Sequence, residues 1–138
     1  MTVRLSLALA VAVCVLASSA SGATTSARWF VTPGKNVSCE LGFHRPAPAG
    51  TYVWCLAYHG GKPYKTARAV QMNSAAKLTV CHGLRCIGNS PVGTPTLPVG
   101  HSIDLGPFRC TALHPGVRCI VRNSGHGFRL TVHRITPI

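Results

Sequence analysis

The sequence predicts a small all-β domain, a disulfide-stapled antiparallel sandwich or barrel. Three observations carry that prediction. Short β-branched and aromatic runs recur at close spacing, separated by turns drawn from 14 Gly and 10 Pro in 138 residues. Beyond the amino-terminal segment, no stretch has persuasive helical periodicity. Six of the seven cysteines remain once Cys14 is set aside, an even number in a chain of one-domain length.

The first segment reads as a secretory signal peptide, residues 1–23. Arg4 is its positive start, and Leu5 to Ala17 is an uncharged apolar run. That run is shorter than the roughly 20 residues needed to span a bilayer. Small residues follow, and Ser21 and Ala23 fit a cleavage site after Ala23, with Ala20 or Ala27 as rivals. Val13 stands before Cys14 where a lipoprotein site needs a small residue. Residues 24–138 then form a single exported domain with no stable membrane insertion.

Within that domain Trp29–Thr32 predicts a strand, with a turn at Pro33-Gly34-Lys35. Val37–Leu41 is a second strand, and Gly42–Gly50, holding Pro46 and Pro48, a loop. Thr51–Tyr58 is the strongest strand, and His59–Pro63 a turn. Thr66–Met72 fits a strand or one helical turn, with strand favoured. Lys77–Cys81 alternates as a strand does. Gly88–Gly100, with Pro91, Pro95 and Pro98, is an irregular connection. Ser102–Leu105, Phe108–Thr111, Val117–Arg122 and Phe128–Ile135 complete the set. A turn at Asn123–Gly127 joins the last two.

The six cysteines allow fifteen pairings. Two segments look alike: Cys39 answered by Cys55, and Cys110 answered by Cys119. Each couple sits on two strand-like runs joined by a turn. Facing residues on neighbouring strands lie at bridging distance. The expected bonds are therefore Cys39–Cys55 and Cys110–Cys119, leaving Cys81–Cys86. A zinc site is the rival, but only Cys81 and Cys86 have ligand spacing, and export favours oxidation.

Fourteen Lys and Arg stand against two acids, a net charge of +12. Glu40 and Asp104 are the only carboxylate side chains, which argues against two-carboxylate glycoside hydrolysis and all-oxygen metal cages. Strand alternation puts Arg118 and Arg122 on one face and Arg129 and His133 on another strand's matching face. A Cys110–Cys119 bridge is expected to set Arg109 beside Arg118. Arg109, Arg118, Arg122, Arg129 and His133 thus form a candidate cationic face for a polyanion, suited to bidentate contacts. The alternative is a solvated strand face.

The turn motif Gly125-His126-Gly127-Phe128 could expose His126 for catalysis. A hairpin turn that needs its glycines explains it better. His101, Ser102 and Asp104 lie close in sequence without triad geometry. Trp29, Phe30, Tyr52, Trp54 and Tyr58 could form a sugar- or base-stacking platform, but core packing is the favoured reading.

The chain resembles the small, exported, cysteine-paired actinobacterial proteins grouped as a domain of unknown function. Phe30-Val31-Thr32-Pro33-Gly34-Lys35-Asn36-Val37-Ser38-Cys39 matches their opening. Leu97-Pro98-Val99-Gly100 matches their middle stretch. Phe108-Arg109-Cys110, Gly116-Val117-Arg118-Cys119 and Ser124-Gly125-His126-Gly127-Phe128 match their close. Gly34-Lys35 and Val99 depart from the usual Ser-Gly and aromatic. The resemblance implies export, disulfides and a β fold, and brings no activity with it.

The expected function is a secreted or wall-associated, non-catalytic binding module for an anionic envelope polymer or acidic protein. It needs no cofactor and no metal. An inhibitor or interaction module for an exported protein is one alternative. A small metal-free ribonuclease, using two histidines and a cation, is the other.

Overall fold

The computed structural model describes residues 22–46, 49–58, 66–88 and 90–138. The expected leader up to residue 21 and the turn at 59–63 lie outside them.

Among the described residues, ten strands form two five-stranded antiparallel sheets. The first is a meander of β1 (Thr24–Val31), β2 (Val37–Arg45), β3 (Tyr52–Ala57), β4 (Arg68–Asn73) and β5 (Leu78–His82). The second repeats the plan with β6 (Ser102–Leu105), β7 (Phe108–Ala112), β8 (Val117–Val121), β9 (Gly127–Leu130) and β10 (Ile135–Pro137). Of the expected sandwich or barrel, this is the small disulfide-stapled sandwich.

Alternation decides which side chains enter the core. On β7 and β8, Phe108, Cys110, Ala112, Val117, Cys119 and Val121 are buried, while Arg109 and Arg118 point to solvent. Phe30, Leu41, Val53 and Met72 from the first sheet meet Phe108, Val117, Phe128 and Leu130 from the second in one cluster. Burying each such side chain contributes roughly 1.5–3 kcal/mol.

All three expected disulfides are present: Cys39–Cys55, Cys81–Cys86 and Cys110–Cys119. The first and third join directly opposed residues, on β2 and β3 and on β7 and β8. They occupy equivalent places in the two meanders. They also touch across the sandwich, with Cys55 Sγ 3.9 Å from Cys119 Sγ. The sulfurs of Cys39, Cys55 and Cys119 thus lie within 4.8 Å of one another. Bonded as cystines, they offer no thiolate to a metal.

Three segments differ from expectation. β1 begins at Thr24 rather than Trp29, because it pairs along the whole of an extended β2. Gly42–Arg45, expected as loop, is therefore strand, and pairing stops at Pro46. The expected strand Phe128–Ile135 is two strands. Thr131 breaks it: its backbone N–H donates to Arg134 O, and its hydroxyl accepts from the N–H groups of His133 and Arg134 at 3.2 Å. That side-chain turn reverses the chain, so β10 folds back on β9.

The irregular connection after Gly88 is not idle. Val31 N–H donates to Pro95 O, and Leu97 N–H donates to Val31 O. This short parallel bridge closes part of the β1 edge. A 3-10 turn at Leu84–Cys86, stapled by Cys81–Cys86, packs on the outer face of the first sheet. There Leu56, Ala67, Ala69 and Cys86 form a second, smaller buried cluster.

Candidate functional site

The outer face of the second sheet carries the arginines, in an arrangement set by strand register. One row runs Ser102, Thr111, Arg118, Arg129 and Thr136 across five strands. The next runs Asp104, Arg109, Ile120 and Gly127. The expected neighbourhood of Arg109 and Arg118 is corrected. In an antiparallel pair, the residue before one cysteine faces the residue after the other. Arg109 faces Ile120, and Arg118 faces Thr111. The directly opposed pair is Arg118 and Arg129.

The arginines differ in what answers them. Arg109 Nε donates to Asp104 Oδ1 at 2.8 Å, and Nη2 to Oδ2 at 2.7 Å. This bidentate pair is exposed to solvent. The Arg109 hydrogen bond holds the Asp104 carboxyl below its usual range, with smaller help from the Arg109 and Arg122 charges. The same contact raises the Arg109 guanidinium further. Arg122 Nη2 donates to Gly106 O at 2.6 Å, tying it to the turn between β6 and β7. Arg118 and Arg129 are both exposed. Among the described residues, neither guanidinium has a hydrogen-bond or ion-pair partner.

His133 does not join this face, because the Thr131 turn carries it off the strand. It lines an edge groove of about 400 Å³ with Arg68, His82, Arg134 and the apolar side chains of Leu78, Val80, Ile135 and Pro137. Arg68 Nη1 donates to Val132 O there at 2.7 Å. Two histidines and two arginines therefore share a groove that lies between β5 and β10, a grouping invisible in the linear sequence.

The Gly125–Phe128 motif is a turn device. Gly125 has φ +72°, and its N–H donates to Val121 O. A Cβ on Gly127 would collide with Cys119 O and Ile120 Cα. Phe128 is fully buried in the core. His126 is exposed, with Nδ1 3.4 Å from Ile138 O. Ser102 Oγ pairs with Thr111 Oγ1 at 2.7 Å, and Asp104 is held by Arg109. Neither is directed at His101.

The aromatic side chains divide differently from expectation. Phe30 is core. Trp29, Tyr52, Trp54 and Tyr58 are half-buried, on or beside the first sheet's outer face. Trp29, Glu40, Trp54 and Gln71 stand in one register row over β1 to β4. They line a cleft of about 350 Å³ together with Tyr52 and Gly88. Tyr52 Oη donates to Glu40 Oε1 at 2.8 Å. Burial, then the hydrogen bond to Glu40, pushes its hydroxyl up to about 12.

Among the described residues no helix is long and apolar enough to cross a membrane. The disulfides fit an extracellular protein. Comparison with known proteins yields no relative, since no family model, curated protein or solved structure matches the chain.

Proposed function

We propose that the chain is a secreted, non-catalytic binding module for an anionic polymer or acidic partner. Arg118 and Arg129 are its centre, flanked by Arg122 and by Arg109 with its carboxylate. The carrying observation is the direct opposition of Arg118 and Arg129 across β8 and β9, both exposed. Like charges facing each other across a ladder destabilise it. The chain's two acids stand elsewhere, Asp104 on Arg109 and Glu40 on the other sheet. A phosphate or carboxylate seated between the two guanidinium groups relieves the repulsion and accepts from both. Repeated anionic groups along a polymer would also reach Arg122.

The test separates this site from bulk charge. Arg118→Ala/Arg129→Ala and Lys77→Ala/Arg85→Ala each remove two exposed cations. On a polyphosphate or polyglutamate resin, the first double variant should elute at clearly lower salt than the second. Elution of the two at the same salt would mean that only net charge is read, and the site would be discarded.

A further inference from the structure

The cleft on the first sheet has a chemistry opposite to that of the arginine face. We propose that it is a saccharide subsite, taking a neutral pyranose ring of an oligosaccharide. The proposal is independent of the polyanion reading, since the two outer faces of a sandwich look in opposite directions.

Register builds the site. Trp29 on β1 and Trp54 on β3 directly flank Glu40 on β2, and Gln71 on β4 follows Trp54. Two half-buried indoles thus stand on either side of a carboxylate, with an amide at the end of the row. An indole face carries negative charge density, and it attracts the slightly positive C–H face of a pyranose. The carboxylate and amide suit the hydroxyl edge of the same ring. Glu40 Oε1 already accepts from Tyr52 Oη. Oε2 has no partner among the described residues and is not buried. It is placed to accept from a ligand hydroxyl.

The rings are held rather than loose. A Cβ on Gly88 would lie 2.7 Å from Trp54 Cη2, and one on Gly42 2.7 Å from Tyr52 Cε1. Each glycine lets backbone approach the edge of a ring and fix its place. The Cys81–Cys86 bridge holds the turn just before Gly88. Such preorganisation lowers the cost of binding.

The charge of the site selects the ligand class. One of only two acids in a chain of net charge +12 stands here. It repels phosphates, which disfavours a nucleic-acid strand even though bases also stack on indoles. It welcomes hydroxyl donors. The cleft volume suits one ring of a longer chain, at the lower end of the range for small-ligand sites.

The two tryptophans of the chain both line this cleft, so native tryptophan emission reports on it directly. The intact protein is titrated with neutral gluco-, manno- and galacto-configured tetrasaccharides, and separately with a short oligothymidylate. The expected result is a saturating emission change with at least one tetrasaccharide. Glu40→Gln and Trp29→Ala should each weaken binding about tenfold or more, read by calorimetry where an indole is lost. Lys77→Ala should leave it unchanged. Trp29 lies on an edge strand, and Glu40→Gln is nearly isosteric, so at least one variant stays folded, as circular dichroism will show. No response to any tetrasaccharide would overturn the proposal. So would binding indifferent to both substitutions, or a response to the oligothymidylate alone. None of these outcomes bears on Arg118 and Arg129.

Discussion

At the scale of single residues, Asp104 decides how much of the arginine face is available. It neutralises Arg109 through two hydrogen bonds and leaves Arg118 and Arg129 unanswered. The pair is solvent-exposed and screened, so its part in stability is small. In the proposed polyanion site its part is larger, because it occupies one of the four arginines. Asp104→Asn should release Arg109 and move elution from polyphosphate to higher salt. The shift should exceed that of Ser74→Lys, which adds the same charge at an exposed turn on the other sheet. Acid should act in the same direction. The folded Asp104 carboxyl is held low by Arg109. The pair's small stabilisation is therefore complete above the ordinary carboxylate value and disappears as pH falls through the lowered one. The gap in retention between native protein and Asp104→Asn should accordingly close as pH is taken well below about 4.

Among the elements, the hairpin of β8 and β9 shows what was legible in the sequence and what was not. Val117-Arg118-Cys119 alternates plainly, so inside and outside were readable. Which arginine faces which was not readable from alternation, because it depends on register. The antiparallel rule applied to Cys110–Cys119 separates Arg109 from Arg118, and the Arg118–Arg129 pair follows only from the β8–β9 turn. His133 reads as a strand residue because Thr131-Val132-His133 has strand-like composition, and a hydroxyl capping two N–H groups leaves no mark on hydrophobic periodicity. Tyr52 and Trp54 differ from expectation for a related reason. Their shared parity is real, but the core took Val53 and Cys55, and the aromatic parity faces outward. The glycines of the turn carry a sharper expectation. Gly127→Ala drives a methyl into the backbone O of Cys119 and should cost about 3 kcal/mol or more. Gly125→Ala meets no atom within 4 Å and suffers only its positive φ, about 1–2 kcal/mol. Urea unfolding of both variants should place Gly127→Ala as the less stable, and it alone should disturb the amide signals of Cys119 and Ile120.

For the whole molecule, stability rests on two sheets that share one core and two stacked cystines. Chain entropy assigns about 3 kcal/mol to Cys39–Cys55, about 2.6 to Cys110–Cys119 and about 2 to Cys81–Cys86, whose separations are 16, 9 and 5 residues. Packing widens the difference, because Cys39 and Cys55 are fully buried and Cys81 is not. Cys39→Ala/Cys55→Ala should therefore lower the urea midpoint much more than Cys81→Ala/Cys86→Ala. Equal losses would show that the outer staple supports the core as strongly as the inner one. The fold class, the three bonds and most strands were legible because each rests on local spacing. The two proposed binding faces were legible only in their residues and not in their arrangement, because each is assembled from three or more strands.

The order of the two meanders along the chain has a temporal consequence. Cys39, Cys55, Cys81 and Cys86 all belong to the first sheet's half, and Cys110 and Cys119 to the second. Every disulfide and nearly every strand pairing closes within its own half. In a chain that enters an oxidising compartment amino end first, Cys39, Cys55, Cys81 and Cys86 arrive before Cys110 and Cys119. For such a chain the first two bonds can be chosen among three pairings of four cysteines rather than among the fifteen of six.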